Sequence, residues 1–117
     1  MNTFQVFSYG NARVESSLFA TAAGVQEAHL MIHATQPNGS FQQQLQAVRA
    51  ACAKVLSQWG AALTPVMKRY WLSDAANQEA YVRRSEPDGC ALSTVQQPPL
   101  DGTKVALWVY GLANVTV

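Results

Sequence analysis

Charge is scarce in this sequence. Only 13% of its 117 residues are Asp, Glu, Lys or Arg, and 8 basic against 7 acidic side chains leave a net charge of +1; roughly a quarter charged is usual for a globular domain. Apart from the pairs Lys68-Arg69 and Arg83-Arg84 the basic residues are scattered. No stripe follows a phosphate backbone, so nucleic acid is not an expected partner. Cysteine is scarce as well: Cys52 and Cys90 stand alone, with no C-x-x-C and no compact His/Cys group. That argues for two buried thiols and against a metal site, and no cofactor is expected. No apolar run approaches the ~20 residues that cross a bilayer, and the opening "MNTFQVFSYG" lacks a basic stretch followed by an apolar core. The expectation is a cytoplasmic protein with no membrane partner.

The sequence is rich instead in apolar residues, 49% of the chain. A chain of this length forms one domain, 1–117, and buries roughly 65% of the surface it exposes when unfolded. So light a coat of charge over so small a domain favours an oligomer, in which copies cover part of one another.

Period-two alternation marks the first third. "TFQVFSY" (3 to 9), "SSLFATA" (17 to 23) and "EAHLMIHA" (27 to 34) read as three strands in a meander, separated by "GNARVE" and "GVQ". "TQPNGS" breaks the pattern, and Ser40 is placed to cap a helix. From Phe41 to Trp59 the residues Leu45, Val48, Cys52, Val55, Leu56 and Trp59 recur at spacings of three and four, which predicts an amphipathic helix ended by Gly60. Strand character returns in "TPVMKRYWLSD" (64 to 74). Asp74 is expected to cap a short helix, "AANQEAYVRR", and "EPDG" and "PPLDG" bracket two further strands, "CALSTVQQ" and "TKVALWVYGL".

The predicted order is β-β-β-α-β-α-β-β, an α+β fold. Short strand-helix-strand crossovers require some parallel pairing, with both helices on one face of a single mixed sheet. In the last strand Val105, Leu107 and Val109 point one way and Ala106, Trp108 and Tyr110 the other. Both sides are apolar, so the face away from the helices is expected to be covered by self-association.

The helix "FQQQLQAVRAACAKVLSQWGAAL", the strand "VMKRYWLSD" and the closing pair "ALSTVQQPPL" and "KVALWVYGL" together resemble the RidA (YjgF) family across essentially the whole chain. The resemblance implies a chorismate-mutase-like fold, a homotrimer and small-molecule clefts between subunits. Active members of that family hydrolyse enamines and imines to 2-oxo acids and ammonia. An arginine in the strand motif Ala-Arg-Ser holds the substrate carboxylate, and a last-strand glutamate positions water. Here the motif reads Ala91-Leu92-Ser93, with Leu92 at the arginine position. The glutamate position falls closest to Trp108, or one or two residues before it at Leu107 or Ala106, none of them an acid. Ser93 agrees with the family pattern, Thr94 falls where members carry a small residue, and His33 lies near the border of the implied cleft.

The resemblance therefore implies a small-metabolite binding protein whose deaminase chemistry is lost. Two other readings stay open: an active imine deaminase whose carboxylate clamp is rebuilt from a basic residue such as Arg69, Arg83 or Arg84, and an interaction module of a larger protein. A ribonuclease role ranks last, for want of a histidine pair and a basic surface. His33 reads more simply as a strand-end histidine bonded to backbone. Its neighbour in sequence, His29, would lie about 13 Å away along a strand, too far to share a metal. Trp108 and Tyr110 suit interface packing or the floor of an apolar cleft. An intact family-type cleft predicts that Leu92→Arg creates carboxylate binding.

Overall fold

The computed structural model describes residues 3–20, 25–36, 38–59, 63–86, 91–97 and 103–113. The elements run β1 (Thr3–Tyr9), β2 (Ala12–Ala20), β3 (Gln26–Ala34), α1 (Phe41–Trp59), β4 (Thr64–Leu72), α2 (Ala75–Ser85), β5 (Ala91–Gln96) and β6 (Val105–Ala113). They form one six-stranded mixed sheet in the order β1-β2-β3-β6-β4-β5. β4 and β5 are parallel, and every other neighbouring pair is antiparallel. The parallel pair is the one joined through α2, as a short strand-helix-strand crossover requires. The fold is α+β, as the pattern predicts.

α1 starts where Ser40 places it. Gln43 N–H donates to Ser40 Oγ at 3.1 Å while Ser40 N–H donates to Gln43 Oε1 at 3.0 Å, a reciprocal cap that satisfies two otherwise orphaned donors. The expected Asp74 cap of α2 does not form through its side chain. Gln96 Oε1, at the end of β5, instead accepts the Ala75 N–H. Asp74 contributes its backbone, whose carbonyl accepts from Asn77 and Gln78. The first turn of α2 is thus tied to the strand that follows it.

β2 begins earlier than the alternation suggests. A two-residue turn at Gly10 and Asn11, with Gly10 at φ 57°, reverses the chain so that Tyr9 faces Ala12, and "ARVE" becomes strand. Residues 21–23 of the predicted second strand, and Cys90 of the predicted fifth, lie outside the described residues.

Both helices pack on the same face. Leu45, Val48, Ala51, Cys52 and Val55 of α1 and Val82 of α2 join one buried cluster with Val14, Leu30, Ile32, Tyr70, Leu72, Val105, Leu107 and Val109 of the sheet. Cys52 is buried, as expected. Gln44 is buried on this side as well: its Nε2 donates to the carbonyls of Gln36 and Gly39, and its Oε1 accepts the Lys104 N–H at 2.7 Å. One amide thereby stitches the loop before α1 to the start of β6. Among the described residues no helix covers the opposite face.

Candidate functional site

Strand parity decides which side chains meet, because successive residues point to opposite faces. Four of the six residues expected at the site fall on the open face: His33, Arg69, Ser93 and Trp108. Arg69 lies on β4 between its register partners, Trp108 on β6 and Ser93 on β5. Its guanidinium carbon sits 5.6 Å from the centroid of the Trp108 ring. His33, at the end of β3, is paired with Ala106. Ala106, flanked by His33 and Trp71, is only 1% exposed although no helix among the described residues lies over it.

The other two residues lie on the far side. Leu92 pairs with Lys68 and packs against the helix-covered core. Thr94 pairs with Tyr70. On α2, the hydrogen bond from Arg83 Nε at 2.9 Å holds the Glu79 carboxyl below the usual range. The sheet therefore separates Leu92 and Thr94 from Arg69, Ser93 and Trp108, and a cleft lined by all six side chains does not form within one chain.

The centre of the open face is aromatic. His29 lies 5.9 Å from Trp108 and 5.0 Å from Tyr110, ring centre to ring centre, and those two rings stack at 6.0 Å with their planes 22° apart. Phe19 meets His29 edge-on at 6.0 Å. Spacings of this kind are those at which ring quadrupoles attract. Tyr110 OH donates to Glu27 Oε1 at 2.9 Å, and this bond raises the Tyr110 pKa. His29 belongs to this cluster. Alternation alone would have placed it there, since it shares a face with His33 and Glu27.

Arg69 is the unfinished part of the face. Its Nε is buried, yet makes no hydrogen bond among the described residues. A buried donor without an acceptor costs about 1–3 kcal/mol, and the ring of Trp108 compensates charge without supplying a lone pair.

The helix-covered face holds a second polar group that sequence reasoning missed. Glu86, just past α2, receives Lys68 Nζ on Oε1 at 2.7 Å and Tyr70 OH on Oε2 at 2.7 Å, with Arg49 at 3.4 Å. Arg49 also donates to Ser85 Oγ and to the Val82 carbonyl. Lys68 and Glu86 side chains are 3% and 5% exposed. Burial, chiefly, raises the Tyr70 pKa far above that of a free tyrosine. The available signal was that Lys68 alternates with Tyr70 and Leu72 along β4, a parity that puts a cation among core residues.

Among the described residues no group of His, Cys, Asp and Glu could hold a metal ion, and no helix is long and apolar enough to cross a membrane. No protein-family model, curated protein or solved structure matches the chain. The resemblance to RidA proteins thus rests on the quoted segments alone.

Proposed function

We propose that this protein is a RidA-like, cytoplasmic binding protein that assembles as a homotrimer through the open face of its sheet and takes a small carboxylate-bearing metabolite in clefts between copies. The observation that carries this reading is Arg69, whose buried Nε lacks an acceptor while its guanidinium rests on Trp108 beside Ser93. Guanidinium is suited to carboxylate because its donors lie in one plane and stay charged. Trp108 adds a flat apolar surface, which favours a ligand with an unsaturated or aromatic body.

Deaminase chemistry is lost in this reading. Leu92 packs into the core and cannot hold a substrate, and Ala106, Leu107 and Trp108 offer no carboxylate to position water. Glu27 is an acid on the open face, but it accepts the Tyr110 hydroxyl.

Calorimetry against 2-oxobutyrate tests the proposal. Binding by the wild type and a loss of about tenfold in Arg69→Gln is expected, equivalent to ~1.4 kcal/mol. Equal affinity in the two proteins removes Arg69 from the site. In parallel, an imine generated by an amino-acid oxidase and trapped with semicarbazide should disappear no faster with this protein present; acceleration would restore the enzymatic alternative.

A further inference from the structure

A second concave region lies away from the open face, between the β1–β2 turn, residues Thr35, Gln36, Asn38 and Gly39, and one stripe of α1. It comprises two concavities of about 330 and 470 Å³ that share Gln36 and Gln43. These volumes fall in the roughly 300–1,000 Å³ range of small-molecule sites. From α1 come Gln43, Gln46, Ala47 and Ala50, spacings that put all four side chains on one side of a helix.

The chemistry of the lining is uniform. Among the described residues it contains no charged side chain; Asn11, Gln36, Asn38, Gln43 and Gln46 contribute amides, and Tyr9, 41% exposed, contributes a ring. The side-chain amides of Asn11, Gln36, Asn38 and Gln46 make no hydrogen bond among the described residues. Each offers a donor and an acceptor on adjacent atoms, the pattern that meets a vicinal diol. The walls are preformed. The loop is fixed from behind by Gln44, which binds the carbonyls of Gln36 and Gly39, and Gln43 is fixed by its cap with Ser40. Ala47 and Ala50 leave the floor shallow and apolar, and Tyr9 stands at the rim beside the turn at Gly10.

We infer that this groove is a binding site for a neutral saccharide of one or two rings, with the amides on its hydroxyls and Tyr9 against the apolar face of a ring. Neutral amides provide no counter-charge for a carboxylate or phosphate, which excludes the ligand class proposed for Arg69. A peptide would need a deeper apolar pocket for a side-chain anchor than two alanines provide.

Saturation-transfer NMR on the full chain tests this, using N-acetylglucosamine and maltose as probes, with 2-oxobutyrate and a blocked trialanine peptide as comparison. Wild-type protein should transfer saturation to at least one sugar. Tyr9→Ala should weaken that binding about fivefold, equivalent to ~1 kcal/mol, and Ala50→Gln, which fills the floor with a good helix former, should abolish it. Both positions are exposed, so thermal unfolding should be unchanged and a binding loss is readable as such. No transfer to either sugar, transfer unaffected by both variants, or transfer to the peptide in place of the sugars would each overturn the inference. None of these outcomes bears on Arg69, whose ligand is read separately.

Discussion

On the helix-covered face of the sheet, Lys68 and Glu86 are almost fully buried and bonded to each other, with Tyr70 and Arg49 closing the group. On the open face, one residue further along the same strand, Arg69 is partly buried against Trp108 and its Nε is bonded to nothing among the described residues. The two cations are adjacent in sequence and differ in parity. One has its counter-charge within the chain, carried by the residue that follows α2. The other has an aromatic ring and, among the described residues, no acceptor for its Nε. A buried ion pair is a poor source of net stability, because desolvation offsets most of the attraction, but removing one member is costly. In the function proposed above, the unfinished cation is the one that meets the ligand.

The sharpest way to break the contrast is on the finished side. Glu86→Ala leaves buried positive charge without its carboxylate and should lower the unfolding free energy by about 3 kcal/mol, measured by urea denaturation. Added acetate should return part of that loss by occupying the vacated position. A change below about 0.5 kcal/mol, the level of an ordinary surface substitution, would mean that the Lys68–Glu86 pair is solvated and the contrast between the faces is lost.

Leu92→Arg separates the two faces next. The resemblance to RidA proteins leads one to expect that the new arginine would bind carboxylates. Because Leu92 points into the core beside Lys68, the substitution should destabilise the fold by about 2 kcal/mol through burial of a second cation. It should add no affinity for 2-oxobutyrate. Gained affinity at wild-type stability would show that β5 presents Leu92 to the open face.

A pH series discriminates more gently. The folded-state pKa of Tyr70 lies above its unfolded value, so the fold favours the neutral phenol. Its contribution is complete below the unfolded pKa, near 10, and is lost as pH rises towards the folded pKa, at a rate of about 1.4 kcal/mol per pH unit. Stability measured between about pH 9 and 11 should fall, and Tyr70→Phe should remove that part of the slope. An identical slope in the variant would assign the alkaline loss to other groups. The smallest effect is on the open face: Arg69→Gln should change stability by less than about 0.5 kcal/mol, because losing the contact with Trp108 and removing an orphaned buried donor act in opposite directions, while carboxylate binding falls.

Regular elements were legible in the sequence wherever burial imposes a period. α1 runs over 41–59 as its spacing of three and four predicts, because only that stripe meets the sheet. β6 shows both of its apolar sides, with Val105, Leu107 and Val109 in the core and Trp108 and Tyr110 opposite. The start of β2 does alternate, with Ala12 and Val14 buried and Arg13 and Glu15 on the open face, where they pair at 3.3 Å, but the turn residues Gly10 and Asn11 beside it read as a breaker.

The candidate site was legible only as a set of residues. Reading Leu92, Ser93 and Thr94 as one wall ignores that consecutive strand residues cannot share a face. Arg69, Ser93 and Trp108 were brought together by register, which a sequence does not print. Glu86 stayed invisible because a turn glutamate before Pro87 reads as solvated. Its partners Arg49 and Tyr70 lie 37 and 16 residues away.

Sedimentation equilibrium of the wild-type protein at micromolar concentration tests the covering of the open face most directly. If that face, with its aromatic centre and unfinished arginine, is covered by copies of the chain, the protein sediments as a species of three chains. A single chain of 12.7 kDa at that concentration would contradict it, and would leave Arg69 and Trp108 facing water.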